Sequence, residues 1–103
     1  MAIIKCDSGV YQHIYGGIGE DGNTFSGEGF KSQRLTEGLY VVEFDTPFAN
    51  MPAVVCTING EEWKTFNLSV ANLDFTPHYF VCGTSSPNNR VSSAFTFIAF
   101  GQV

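Results

Sequence analysis

Turn-forming residues interrupt this chain at short intervals, and this spacing constrains its fold more than any other feature. Typical examples are Gly16-Gly17, Asp21-Gly22, Asn59-Gly60 and Thr76-Pro77. Segments of this length accommodate strands but not long helices. Ten phenylalanines and four tyrosines agree with this, because aromatic residues favour strands. We therefore predict an all-β fold, a small antiparallel β-sandwich with no substantial helix, built as a single domain over residues 1–103.

The alternation of apolar and polar residues indicates which strand faces are buried. Eight strands are predicted, near residues 2–6, 10–15, 29–34, 39–45, 53–59, 64–71, 78–83 and 91–100. In one of them Tyr40, Val42 and Phe44 form an apolar face opposite a mixed one, which is typical of a strand with one face on a core. Residues 53–58 and 94–100 are apolar on both faces. Either loops cover the second faces or copies of the chain pack there, and we expect a homo-oligomer in which Ile98 faces a neighbour.

Charge and hydropathy exclude two classes of partner. Ten acidic and five basic residues give a net charge of −5, and the basic residues form no cluster. Phosphate neutralisation needs clustered Lys and Arg, so we expect no nucleic acid partner. No run approaches the roughly 18 consecutive apolar residues of a membrane span, so we expect no membrane insertion. The first residues lack the basic start and long apolar centre of a signal peptide, and we expect none there.

Residues that could carry catalysis do not form a recognisable set. The segment from Gly16 to Gly22 has the composition of a phosphate-binding loop, but acidic residues follow where a helix should begin, so we interpret it as a hairpin loop. His78 and Cys82 share a face of a predicted strand, and no nucleophile-and-base arrangement can be recognised around them. We predict that the protein is not an enzyme and uses no cofactor.

The polar residues of three predicted loops are the candidates for binding a ligand, at one end of the sandwich and not in a deep pocket. The candidate ligand-binding residues are Asp21, Asn23, Trp63, Asn88, Asn89 and Arg90. Asp21 and Asn23, with Glu20, also offer oxygen atoms to a cation, but they match no calcium-loop spacing and turn chemistry explains them equally well, so no metal is predicted. Trp63 either stacks on a sugar or closes the end of the sandwich.

Several segments resemble known families of attachment domains. Residues 42–55 resemble the H-type lectin domain, in which a strand ending in Phe is followed by an aromatic residue and then by Pro-x-Val. Residues 79–82 and 95–100 resemble two later strands of that family. The C-terminal domains of phage tail fibres and bacterial surface proteins are also similar to this chain, through residues 27–30, 38–44 and 95–101.

Both resemblances imply an H-type lectin-like sandwich, commonly a trimer, that attaches to glycans or surfaces outside the cell or on a virion. The H-type lectin resemblance also implies that Cys6 and Cys82 lie within disulfide reach, with Cys56 buried and free. The chain lacks the Trp-His pair and the central-strand Arg with which that family binds sugar, so the family's sugar specificity is not implied.

Two functional hypotheses follow. The first is a carbohydrate- or receptor-binding attachment domain that acts as a homotrimer, so that avidity raises the affinity of weak single sites. The alternative is a structural trimerising cap of a fibre or surface assembly that binds no small ligand.

Overall fold

Two antiparallel β-sheets form this protein, as a computed structural model shows for residues 2–6 and 9–103. Sheet 1 contains β1 (Ala2–Cys6), β2 (Gly9–Ile18), β3 (Thr24–Gly27), β6 (Ala53–Ile58) and β9 (Phe95–Gln102). Sheet 2 contains β4 (Phe30–Thr36), β5 (Leu39–Phe44), β7 (Ser69–Phe75) and β8 (Tyr79–Ser85). The strand order is β1-β2-β9-β6 in sheet 1, where β3 also pairs with β2, and β4-β5-β8-β7 in sheet 2. The predicted all-β sandwich is therefore confirmed.

The core lies between the sheets and is largely aromatic. Tyr40 of β5 meets Phe95 of β9 at a ring-centroid distance of 5.2 Å, and Phe80 of β8 meets Phe97 of β9 at 5.1 Å, both edge to face. Each pair joins one sheet to the other. Burial of such rings supplies hydrophobic stabilisation, and edge-to-face contacts add about 0.5–1.5 kcal/mol each. The alternation predicted for β5 is confirmed, because Tyr40, Val42 and Phe44 are buried.

The second apolar face that the sequence predicted is exposed on the outer side of sheet 1. On β9, Phe95, Phe97 and Ala99 point into the core, whereas Ile98 and Phe100 are exposed. The edge strand β6 alternates in the same way, with half-buried residues facing the core and exposed ones facing outward. No loop of the described residues buries these outward side chains.

The sequence misplaced one strand and missed another. The strand predicted at residues 64–71 begins only at Ser69, because a four-residue helix, α1 (Glu62–Thr65), and a short turn precede β7. The charges of α1 suit a helix, with Glu62 in the first turn and Lys64 in the last. Strand β3 was missed because none of its four residues is buried, so it carries no alternation that a sequence could show.

One side chain links the edge strands of the two sheets. Asn72 of β7 donates from Nδ2 to the backbone oxygen of Val54 on β6 at 3.0 Å. Its Oδ1 accepts a hydrogen bond from the thiol of Cys56, also on β6, at 3.2 Å. Both polar atoms of the Asn72 side chain therefore hold β7 against β6 at this side of the sandwich.

Candidate functional site

Four connecting segments meet at one end of the sandwich, which we call the loop end. They are residues 19–23, 37–38, 59–68 and 86–94. The hydroxyl of Tyr40 donates to the backbone oxygen of Glu20 at 2.7 Å, so a core side chain holds the first segment in place. Asn59 donates from its backbone nitrogen to the oxygen of Ala94 at 3.0 Å, which ties the third segment to the fourth.

A polar cleft of about 450 Å³ lies between these segments. Its lining consists of Glu20, Asn59, Gly60, Glu61, Lys64, Thr65, Leu68, Val91, Ser92, Ser93 and Ala94. Carboxylates, an amide, an ammonium group and hydroxyls are all present, beside the apolar side chains of Leu68, Val91 and Ala94. The volume falls within the range of about 300–1,000 Å³ that is usual for small-molecule sites.

Helix α1 carries two exposed aromatic side chains beside the cleft. Trp63 is 69% exposed and Phe66, which follows the helix, is 75% exposed. The indole nitrogen of Trp63 donates to the carboxylate of Glu61, which fixes the direction of the ring. The ammonium group of Lys64 lies 5.0 Å from the centre of the Trp63 ring. Trp63 therefore does not close the end of the sandwich, and its ring remains accessible.

The other residues predicted to bind a ligand do not line the cleft. The carboxylate of Asp21 accepts hydrogen bonds from the backbone nitrogen of Asn23 at 3.0 Å and from its side-chain amide at 2.9 Å. These hydrogen bonds lower the pKa of Asp21 below its usual value. Hydrogen bonds between an Asp side chain and the residue two positions further on are typical of a turn. Among the described residues, no group of three or more His, Cys, Asp or Glu side chains could hold a metal ion.

The loop of residues 86–90 faces away from the cleft. Asn88, Asn89 and Arg90 are exposed, and the backbone of Asn89 closes a turn with Ser86. The guanidinium of Arg90 covers Gly83, whose missing side chain leaves the space for it. Because the neighbours of Gly83 on β8 point into the core, Arg90 lies on the outer face of sheet 2. The structure therefore does not bring Arg90 into the cleft with Lys64.

Sequence reasoning missed the residues that form the opposite wall of the cleft, above all Ser92 and Ser93. The backbone nitrogen of Ser92 donates to the carboxylate of Glu37 at 2.5 Å. Its hydroxyl accepts from the backbone nitrogen of Gly38 at 2.9 Å and from Arg34 at 3.3 Å. The only sign of this wall in the sequence is the pair of adjacent serines before the last strand, and serines are common in any loop.

These contacts make the position of Ser92 dependent on pH. The hydrogen bonds from Ser92 lower the pKa of Glu37 below its usual value. Because its pKa is lowered, ionised Glu37 stabilises the folded loop at pH values above the ordinary glutamate pKa of about 4.3. This stabilisation is lost as the pH falls through the lowered pKa. We expect the amide proton resonance of Ser92 to titrate with a midpoint below 4.3, as followed by NMR. Glu37→Gln should abolish this titration, whereas Glu62→Gln should leave it unchanged.

Two cysteines face each other across the sandwich. Cys82 on β8 is buried and Cys56 on β6 is half-buried, and both thiols are free. A hydrogen bond between the two thiols, together with burial, raises the pKa of Cys82, so it stays protonated. The side chain of Cys6 lies outside the described part of the chain, so the prediction that Cys6 lies within disulfide reach of Cys82 stays a prediction. Cys56 is less buried than we expected.

We compared the chain with protein-family models, with curated proteins and with solved structures, and none of them matches it. The resemblances to the H-type lectin domain and to fibre-tip domains therefore depend only on the sequence segments given above. In the part of the chain that the structure describes, no helix is long and apolar enough to cross a membrane.

Proposed function

We propose that this domain attaches to a carbohydrate, free or displayed on a cell-surface receptor, and that it acts as a homotrimer on an extracellular or virion surface. The observation that supports this most is the polar cleft at the loop end, with the exposed ring of Trp63 beside it. The homotrimer and the location follow from the resemblances and from the apolar second face of sheet 1.

The chemistry of the cleft suits sugar hydroxyls. A hydroxyl both donates and accepts, so it pairs with carboxylate oxygens, amides and other hydroxyls alike. The cleft offers a carboxylate on Glu61, an amide on Asn59 and a hydroxyl on Thr65. Neighbouring hydroxyls of one sugar could each reach a different one of these groups.

An exposed indole beside such a cleft supplies the apolar part of the contact. The ring of Trp63 offers a large flat surface to the C–H face of a sugar at little cost in conformational entropy. Its orientation is fixed in advance, because Glu61 holds the indole nitrogen. The exposed ring thus lies within four residues in sequence of the hydroxyl-binding groups on Asn59, Glu61 and Thr65.

The charges of the cleft favour a neutral sugar. Two carboxylates, on Glu20 and Glu61, stand against one ammonium group, on Lys64. The whole chain is also negative, at −5. A sialylated or phosphorylated ligand would meet net repulsion here, so we expect uncharged hexoses to bind better than acidic ones.

A glycan array with matched aromatic variants tests the proposal. We expect the wild-type protein to bind a defined neutral sugar and Trp63→Ala to bind about two- to twelvefold more weakly, because an aromatic contact contributes about 0.5–1.5 kcal/mol beyond burial of area. Phe66→Ala is the control, since it removes an equally exposed ring outside the contacts that Trp63 makes with Glu61 and Lys64 of the cleft. Equal binding by the wild-type protein and Trp63→Ala would contradict a site at this cleft.

Two further variants test the loop that the sequence singled out. Asn89→Ala and Arg90→Ala should leave sugar binding unchanged, because the guanidinium of Arg90 covers Gly83 and does not line the cleft. Melting curves would show that each variant is folded. Loss of binding in these two variants, with binding intact in Trp63→Ala, would move the site to residues 86–90.

The alternative, a structural trimerising cap without a small ligand, is supported by a different observation. The outer face of sheet 1 is apolar and exposed, as expected of a surface that packs in an assembly. An array without signal for any sugar, from a protein that still assembles, would favour this function.

A further inference from the structure

Only one asparagine of this chain is followed by glycine, and this pair, Asn59-Gly60, lines the cleft at the loop end. Both residues are exposed. The side-chain amide of an asparagine can react with the backbone nitrogen of the next residue, because the two groups are held close together by the chain itself. Glycine hinders this reaction least, since it has no Cβ and leaves the backbone free to rotate.

The two groups that would react have no hydrogen-bond partner among the described residues. The backbone nitrogen of Asn59 donates to the oxygen of Ala94 at 3.0 Å, which holds the start of the pair in place. The side-chain amide of Asn59 and the backbone nitrogen of Gly60 form no such bond within the described part of the chain. The nitrogen can therefore turn toward the side-chain carbonyl carbon without first breaking a contact.

Other asparagines of the chain are held more firmly. The backbone nitrogen that follows Asn67 donates to the oxygen of Thr65 at 3.0 Å, and the one that follows Asn88 donates to the hydroxyl of Ser86 at 3.3 Å. The side-chain amide of Asn72 forms hydrogen bonds through both of its polar atoms. In each case either the attacking nitrogen or the amide is already occupied.

An aspartate before a glycine can react in the same way, and Asp21-Gly22 provides a second contrast. The backbone nitrogen of Gly22 donates to the oxygen of Gly19 at 2.9 Å. The carboxylate of Asp21 accepts two hydrogen bonds from Asn23. This turn therefore occupies both groups that would react, although it lies at the same end of the sandwich.

We propose that Asn59 and Gly60 form a self-modification site at which the cleft loses an amide and gains a carboxylate. The backbone nitrogen of Gly60 attacks the side-chain carbonyl carbon of Asn59 and forms a new C–N bond. The C–N bond of the amide breaks, and its nitrogen leaves as ammonia with the proton from Gly60. Water then opens the resulting cyclic imide at either carbonyl, which gives aspartate or isoaspartate without any oxidant or cofactor.

The reaction would change the charge and the shape of the cleft, and this consequence rests on the proposed function. The new carboxylate adds to those of Glu20 and Glu61 and cannot donate a hydrogen bond to a sugar hydroxyl as the amide does. The isoaspartate product also inserts one carbon into the backbone between residue 59 and helix α1, which carries Trp63. We expect neutral sugars to bind about two- to twelvefold more weakly, the range for one lost hydrogen bond.

Peptide mapping by mass spectrometry tests the reaction on the intact folded chain. The chain is incubated at mildly alkaline pH, because the attacking nitrogen must lose its proton. We expect conversion of amide to carboxylate at Asn59 before any conversion at Asn72 or Asn88. An unchanged amide at Asn59 in the folded chain, under conditions in which the chain unfolded in urea loses it, would overturn the inference.

Asn89→Gly is the matched control, because it creates a second asparagine–glycine pair in which the attacking nitrogen is already bonded to Ser86. In this variant Asn88 should lose ammonia about two- to twelvefold more slowly than Asn59, since one hydrogen bond must first be broken. Equal rates at the two sites would overturn the role of the free nitrogen of Gly60.

Asn59→Asp distinguishes this inference from the proposed function, because it carries one product of the reaction from the start. We expect it to bind neutral sugars on the array more weakly than the wild-type protein. Equal binding by the two proteins would overturn the consequence for the cleft. If the wild-type protein bound no sugar, the proposed function would be contradicted, and the peptide map would still decide whether Asn59 reacts.

Discussion

Replacing Phe80 by alanine is expected to lower the free energy of unfolding by about 3–5 kcal/mol, as is usual for a buried Phe-to-Ala change. The side chain is fully buried on β8 and contacts Phe97 of the other sheet and Phe44 of its own. Its loss leaves a cavity that neighbouring rings cannot fill without breaking their edge-to-face contacts. Since domains of this size have about 5–15 kcal/mol of stability, the variant should be close to unfolding at physiological temperature.

Urea denaturation followed by tryptophan fluorescence would measure this effect. Phe66→Ala is the control, because the same ring is removed from an exposed position and the change should stay within about 0.5 kcal/mol. If the two variants lost similar stability, the aromatic core between the sheets would not be the main source of stability.

Replacing Gly22 by alanine is expected to disrupt the loop end. The φ angle of Gly22 is +91°, where a residue with a side chain is strained by about 1–3 kcal/mol. A Cβ at this position would also overlap the backbone nitrogen of Arg34 on β4. The hydroxyl of Ser32 donates to the oxygen of Gly22 at 2.8 Å, so the turn cannot move away without losing this bond. We expect a loss of at least 1–3 kcal/mol.

Gly19→Ala provides a comparison within the same loop. Its Cβ would meet the carboxylate oxygen of Asp21 at 2.9 Å, where the side chain can move aside, and the backbone oxygen of Asn23 only at 3.4 Å. We therefore expect a change of less than about 1 kcal/mol. Thermal melts of both variants would compare their stabilities. Equal losses would show that the left-handed turn at Gly22 does not determine the position of this loop.

The sandwich itself could be predicted from the sequence because burial leaves a period-two signal in β5 and because turn residues recur at short intervals. Where there is no such signal, prediction failed. Strand β3 is exposed along its whole length, and α1 is too short for a helical period to show. The interpretation of residues 64–71 as a strand was wrong at its start, because Lys64 and Thr65 belong to α1 and only residues 69–71 lie in β7.

The candidate site was predicted less well than the fold. The sequence indicated that loops at one end carry the polar groups, and it named Trp63, whose ring is exposed there. It could not show that Ser92 lines a cleft, because its position depends on Glu37 and Gly38, more than fifty residues away. Nor could it show that Arg90 points outward, because that depends on the space above Gly83.

The amide of Asn72 has a consequence for the behaviour of the protein at high concentration. An edge strand with free backbone groups is a template for strand addition and fibril growth. Asn72 occupies the backbone oxygen of Val54 and keeps β7 fixed against β6, so this edge of sheet 1 is covered by the chain itself. Addition of a further strand at this edge of sheet 1 would therefore first have to break the hydrogen bond between Asn72 and Val54.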